Sequence, residues 1–259
     1  MRYVTHILDI LNITGKQRIS DNVVTFTTLS ADPTITLSCS GQIAIHSVSG
    51  GIPRTQTYSE LNAEDIAIVA DANSQVTING DVTDMFCTNL HGCDLLSLDV
   101  SRDAELLVLG IEGQNNLVAV DVTHNSKLKA LPIQHCSLIS DIDVTQNQDL
   151  DTLVLVGIPL VTTIDVRNNP HLNTLGINDV PITDIDLSHN TELGTLVLLN
   201  VPDITFIRAY CDVATVTNEI AQAITDATNI GTVQTNYDGA YFGTINTAAV
   251  NAGWTVTNL

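Results

Sequence analysis

Residues 117–160 read LVAVDVTHNSKLKALPIQHCSLISDIDVTQNQDLDTLVLVGIPL, and this stretch decides the fold. An apolar residue recurs there every 11 positions, and a second one follows each of them two positions later. The recurring positions are Val120, Leu131, Ile142 and Leu153. Apolar residues two apart lie on one face of a strand. The spacing extends outward to Leu98 and Ile207 with a single interval of 10, which predicts stacked repeats rather than a compact globule.

The 11-residue units alternate between two kinds. Every second unit carries aspartate directly after its central apolar residue, at Asp99, Asp121, Asp143, Asp165 and Asp186. The full repeat is therefore about 22 residues with a strand on each side, and five such coils at about 4.8 Å give a core about 24 Å long. Pro132 falls on one predicted strand, so either that strand is irregular or the missing N–H lies at a gap in the ladder.

The pattern LxxLxVxxN, with DVSxN variants, resembles the leucine-rich repeat family over residues 82–208. The likeness is to the short bacterial form with nested 11-residue half-repeats, found in internalin-like and adhesin-like surface proteins. It implies a mainly β fold, a flattened right-handed solenoid with two parallel sheets. It also implies a structural ladder of inward asparagines that bind the turn backbone, at Asn125, Asn147, Asn169 and Asn190, with Asp103 in the first coil. The intervening turns lack asparagine.

The ends of the chain depart from the repeat. We expect three segments: a β-rich N-terminal cap at 1–81, the leucine-rich repeats at 82–208 and a small α/β C-terminal cap at 209–259. Five short apolar runs between residues 22 and 80 predict strands, and Thr217 is the expected N-cap of a helix. Caps are physically required because an open solenoid end exposes apolar core and unpaired strand edges.

Composition limits the partners. The chain has 259 residues, a formal charge of −20, 15% charged residues and 44% hydrophobic residues. This apolar fraction excludes a disordered acidic tail, and the charge disfavours nucleic acid and anionic membrane surfaces. No apolar stretch is long enough to insert in a membrane, and no signal peptide is evident. The location stays open: the cell surface if a leader was removed, otherwise the cytoplasm or a virion. The five cysteines are expected to be reduced and packed.

The aspartate column is the first candidate binding surface. Its five side chains lie between two inward residues and therefore point outward on one face. They are either solvated and bonded to Ser101, Thr123, Thr145 and Ser188, or they form a cation stripe or a docking face for a basic partner. A linear ladder supplies too few oxygens for a calcium cage, so we predict no metal site and no cofactor.

The second candidate surface is apolar. Val154, Val156, Val197 and Leu199 occupy outward positions of the intervening strands. They either form an open contact patch for another protein or for a second copy of the chain, or lie buried under a cap or loop.

These features favour a binding protein over an enzyme. We find no nucleophile elbow, nucleotide loop or metal-ligand spacing. The leading hypothesis is a non-enzymatic leucine-rich repeat scaffold that recognises a protein or glycan, as in bacterial adhesion. The alternative is a structural subunit of a larger assembly, such as a virion or surface appendage, that self-associates through residues 1–20 or the patch from Val154 to Leu199.

Overall fold

The computed structural model describes residues 22–89, 92–210, 214–236 and 242–259. The fold is mainly β, with parallel sheets. The strands are β1 (Val23–Thr28), β2 (Thr34–Cys39), β3 (Gln42–Ser49), β4 (Ile52–Ser59), β5 (Glu64–Ala67), β6 (Gln75–Asn79), β7 (Val82–Thr88), β8 (Leu95–Asp99), β9 (Val108–Glu112), β10 (Ala130–Gln134), β11 (Thr152–Val156), β12 (Thr174–Asn178), β13 (Asp184–Asp186), β14 (Thr195–Leu199), β15 (Phe206–Arg208), β16 (Thr232–Thr235) and β17 (Thr255–Asn258). The helices are α1 (Ala214–Asp226) and α2 (Phe242–Ala252).

One wall of the repeats is a continuous parallel sheet. Strands β7, β9, β10, β11, β12 and β14 pair in that order, and from β9 to β12 equivalent residues are 22 positions apart. The inward leucines form one column, in which Leu131 pairs with Leu153, Leu153 with Leu175 and Leu175 with Leu196. All four are at most 2% exposed. We call this wall the repeat sheet; its buried face follows from the period-2 apolar pattern.

The opposite wall corrects the prediction of two full-length parallel sheets. Residues 117–122, 139–144 and 161–166 are not strands, although their inward side chains are buried. Parallel pairing on this side is confined to the C-terminal end, in a sheet ordered β13–β15–β16–β17. On this side each aspartate side chain binds the N–H two residues on, within its own turn. We call this side the aspartate wall.

A column of left-handed residues ends each strand of the repeat sheet from β9 to β14. They lie about one repeat apart, at Gly113 (φ 69°), His135 (53°), Gly157 (61°), Asp179 (54°) and Asn200 (52°). Left-handed backbone turns the chain sharply from one wall to the other, and glycine, asparagine and aspartate tolerate it best. Pro132 lies within β10 and pairs with Val154, while the register toward β9 skips it. The proline therefore sits at a gap in the ladder.

The N-terminal strands flank the repeats without repeating. Strands β3, β6, β1 and β8 pair antiparallel, and β2 adds antiparallel to β7 at the edge of the repeat sheet. Strand β4 was not predicted from the sequence, because both of its faces are largely exposed and the apolar alternation is missing. The predicted division at residues 81 and 208 stays a prediction. Strand β7, at its first boundary, is already part of the repeat sheet.

The C-terminal helices complete the far end. Helix α1 covers the free edge of β14: Thr215 Oγ1 donates to Gly194 O at 2.8 Å, and Leu198 N donates to Glu219 Oε2 at 3.5 Å. Covering an edge strand in this way blocks edge-to-edge association. The predicted N-cap is wrong, because the helix already includes Ala214 and Thr217 is fully buried inside it. Within the described ranges, no helix is both long and apolar enough to cross a membrane.

Candidate binding surfaces

The aspartate column points outward and is tied to its own turns. Asp99 Oδ1 accepts from Ser101 N at 3.0 Å and from Ser101 Oγ at 2.7 Å. The same pair of bonds joins Asp121 to Thr123, Asp143 to Thr145 and Asp186 to Ser188. The bonds from Ser101 lower the pKa of Asp99 below its ordinary value. Each of these four carboxylates thus has one oxygen committed to structure.

Two arginines neutralise the C-terminal end of the column. Arg167 stands where other repeats have serine or threonine, and its Nη2 lies 2.6 Å from Asp165 Oδ2. This side-chain bond lowers the pKa of Asp165 to about 2. Arg208 Nη1 lies 3.2 Å from Asp186 Oδ2. Partial burial acts to raise the pKa of Asp186, but the bonds from Ser188 and Arg208 outweigh it and leave that pKa low.

The column therefore divides into two parts. Asp99, Asp121 and Asp143 are exposed, whereas Asp165 and Asp186 are half-buried and paired with arginine. In the part of the chain that the structure describes, no cluster of three or more histidine, cysteine, aspartate or glutamate side chains is placed to hold a metal ion. Binding at the column stays a prediction. The arginine at position 167 was visible in the sequence as a departure from the serine or threonine of its equivalents.

The outward face of the repeat sheet is uncharged over four strands. On β10, β11, β12 and β14 it consists of three residues per strand: Ala130, Pro132, Gln134, Thr152, Val154, Val156, Thr174, Gly176, Asn178, Thr195, Val197 and Leu199. None of these side chains carries a charge, although the chain has 29 acidic residues. Charges return only toward the N-terminal end, at Glu112 on β9 and Asp84 on β7. We call these twelve positions the sheet face.

The apolar residues of the sheet face are accessible. Val197 and Leu199 are 40% and 49% exposed, and Val154 and Val156 are half-buried by their neighbours in the sheet. Helix α1 contacts the edge of β14 and leaves Val197 and Leu199 exposed. The described part of the C-terminal cap thus leaves Val197 and Leu199 uncovered.

An aromatic side chain that sequence analysis did not select extends the apolar row. Phe86 of β7 pairs with Gly110 of β9 and is 36% exposed. Its ring lies over the glycine so closely that a Cβ at position 110 would collide with ring atom Cδ1. Phe86, Cys87, Gly110 and Pro132 help line a cavity of about 160 Å³ beside the sheet face. In the sequence, Gly110 directly after Leu109 was the available sign that a neighbouring side chain approaches the backbone there.

The four repeat asparagines lie inside the turns at the end of the aspartate wall. Each is at most 4% exposed, and each Nδ2 donates to two backbone carbonyls of the preceding repeat. For Asn147 these are Val122 O at 2.9 Å and Asn125 O at 2.8 Å. The four Oδ1 atoms are buried without a hydrogen-bond partner. The donated bonds link each repeat to the one before it.

Asp103 occupies the first position of this column, where its side chain accepts hydrogen bonds instead of donating them. It has no exposed surface, and its two oxygens accept from Val82 N and Glu105 N, both at 3.1 Å. Burial raises its pKa to about 7, against the opposing effect of these two bonds. An acceptor is required here because β7 presents a backbone N–H where later repeats present carbonyls. The change from asparagine to aspartate therefore marks where the repeats meet the N-terminal strands.

Comparisons with known proteins give only a weak likeness in shape. No protein-family model matches the chain, and no curated protein matches it. Among solved structures the chain is similar to the functional domain of InlJ from Listeria monocytogenes, which includes a cysteine ladder. The identity is 17%, the TM-score is 0.27, and the match covers 62% of this chain and 51% of that one. The chain thus spans about half the length of that domain. A likeness of this degree carries no argument about function.

Proposed function

We propose that the chain is a leucine-rich-repeat solenoid that serves as a non-enzymatic binding scaffold, and that the sheet face contacts a protein partner. The solenoid is supported by the 22-residue register of β9 to β12, by the asparagine bonds between successive repeats and by the regular left-handed turns. Such a wall is rigid and regular, so it presents its side chains with little entropy left to lose on binding.

The observation that carries the proposal is the absence of charge across the sheet face. In a chain with a formal charge of −20, the twelve positions on β10 to β14 are all neutral. The cores of protein–protein interfaces are depleted in charge, because buried ions lose their hydration without full compensation. Val197 and Leu199 supply exposed apolar area, and threonine, asparagine and glutamine supply polar contacts around it.

The same surface also fits the alternative, a structural subunit of a larger assembly. Two copies that met through a neutral face would keep their acidic aspartate walls apart, which limits the repulsion between them. The two functions differ in the mass of the purified chain: a scaffold for a foreign partner stays monomeric, whereas an assembly subunit self-associates.

The test compares two valine-to-lysine variants. Val197→Lys places a charge on the sheet face, and Val118→Lys places the same charge at a 60% exposed position outside it. Mass is measured by light scattering, and partner capture is measured on a pull-down and on a glycan array. We expect a monomer whose protein partner binds wild type and V118K but not V197K. Self-association lost only in V197K would establish the alternative. The proposal would be overturned if V197K still captured the protein partner, or if the chain bound glycans and no protein.

A further inference from the structure

Two cysteines meet where the N-terminal strands join the repeats. Cys87 is near the end of β7, and Cys93 lies six residues further along the chain. Asn89 O accepts from Gly92 N at 3.0 Å, and Thr88 O accepts from Cys93 N at 3.3 Å. Gly92 has a φ of 78°, in the left-handed region that glycine adopts readily. The two hydrogen bonds place Cys93 beside the end of β7.

The two cysteines lie beside each other inside the protein. The residues are 1% and 0% exposed. The amide of Gln114, itself fully buried, holds both backbones in place: its Nε2 lies 3.4 Å from Cys87 O and 2.8 Å from Cys93 O. Its Oε1 accepts from Leu95 N at 2.6 Å. One buried side chain thus contacts the backbones of both cysteines.

The other described cysteines lack this arrangement. The thiol of Cys39 donates to Gly41 O at 3.2 Å, and the thiol of Cys136 donates to Gln134 O at 3.2 Å. Both bonds are local contacts to the backbone two residues away. A second cysteine held by the same buried amide is therefore specific to positions 87 and 93 among the cysteines that the structure describes.

We propose that Cys87 and Cys93 form an intrachain disulfide when the chain folds in the presence of a low-molecular-weight disulfide such as oxidised glutathione. The thiolate of one cysteine attacks glutathione disulfide, forms a mixed disulfide and releases one glutathione thiolate. The second cysteine then attacks the protein sulfur and displaces the other glutathione. Two protons leave the protein thiols, and two molecules of reduced glutathione form.

Burial determines when this reaction takes place. In the folded, reduced chain the hydrogen bond to Cys93 and the burial together raise the pKa of Cys87, so little nucleophilic thiolate is present. The bond therefore forms before folding buries the thiols, and afterwards the same burial shields it from reductants. In a reducing compartment the pair stays packed as two small apolar side chains. The junction between β7 and the first repeat is then cross-linked only where folding is oxidative.

The experiment refolds the full chain with either oxidised or reduced glutathione, unfolds it in denaturant to block all free thiols with N-ethylmaleimide and digests it with trypsin. Cleavage after Arg54 and Arg102 gives one peptide, residues 55–102, that contains Cys87 and Cys93 and no other cysteine. We expect this peptide to be unblocked and lighter by two hydrogen atoms after oxidative folding, and doubly blocked after reducing folding. A doubly blocked peptide under both conditions would overturn the proposal.

Two variants add independent readouts. Cys93→Ser leaves Cys87 alone, so its peptide should be blocked once under both conditions, while the Cys39→Ser control should retain the unblocked peptide. Oxidative folding should also raise the melting temperature of wild type and of C39S but not that of C93S. If C93S does not fold, the blocked or unblocked state of the wild-type peptide still tests the proposal. A mixture in which position 87 or 93 pairs with other cysteines would also contradict the proposal.

Discussion

Asn147→Ala tests whether the asparagines hold successive repeats together. Asn147 is fully buried, and its Nδ2 bonds to Val122 O and Asn125 O, both in the preceding repeat. Alanine removes both donors and leaves the two carbonyl oxygens facing a small void. We expect a clear loss of stability with no change in the surface of the protein.

The magnitude follows from the partners that remain. Val122 O still accepts from Asn125 N at 3.0 Å, and Asn125 O still accepts from Leu128 N at 3.0 Å. Each carbonyl therefore loses only its second bond, which costs about 1 kcal/mol. Alanine also removes Asn147 Oδ1, which is buried without a partner, and this gain offsets part of the free-energy cost of the void. We predict about 2 kcal/mol, or roughly 4–8 °C in melting temperature for a chain of this size.

Equilibrium urea unfolding followed by circular dichroism measures this loss. Gln148→Ala is the matched control, because Gln148 is the exposed neighbour of Asn147. Asn147→Asp should destabilise more than alanine at neutral pH, since a buried carboxylate would face two carbonyl oxygens and donate to neither. The reasoning is refuted if N147A and Q148A unfold at the same urea concentration.

Three further predictions concern single sites. Burial raises the folded pKa of Asp103 to about 7 from 3.8, so its stabilising contribution is complete below pH 3.8 and is lost as the pH rises through about 7. Between these pH values the free energy of unfolding of wild type, measured in urea relative to Asp103→Asn, should fall by at most about 1.4 kcal/mol per pH unit. Gly110→Ala should lower the melting temperature more than Gly176→Ala, because a Cβ at 110 meets an aromatic ring whereas one at 176 has its nearest side-chain atom at 3.6 Å; equal losses would contradict this. Arg167→Ala should raise the pKa of Asp165 from about 2 in a carboxyl NMR titration, with little change in stability because the two side chains keep 55% and 41% of their surface exposed to screening by solvent.

The buried face of the repeats is predictable from the sequence because it depends only on local alternation. Leu131, Leu153 and Leu175 recur at the repeat period and follow the period-2 pattern of a strand, so their burial requires no knowledge of the remaining chain. The form of the opposite wall depends on a competition that the pattern does not show. The carboxylate of Asp121 or Asp143 binds the backbone of its own turn, and residues 117–122 and 139–144 form no strand although their apolar residues alternate.

The candidate surfaces are likewise predictable from the sequence only in part. That Val197 and Leu199 point outward follows from alternation, but their exposure depends on where helix α1 lies, which is a tertiary property. The left-handed column is only partly signalled, because Gly113 and Gly157 suggest it whereas His135 does not. The meeting of Cys87 and Cys93 requires the turn between them and the buried amide behind them. Sequence spacing alone places them only in the same segment.

The central claim is that the repeats stack in register along one sheet, and distances between spin labels test it most directly. Asp84, Val108 and Thr195 lie in one register row, with Thr195 four strand spacings from Val108 and five from Asp84. Nitroxide labels on cysteines introduced pairwise at these positions, with Cys211 replaced by serine, give the separations by pulsed electron paramagnetic resonance. Stacking predicts about 19 Å for 108–195 and about 24 Å for 84–195, one strand spacing more. Equal separations, or a shorter one for 84–195, would contradict it.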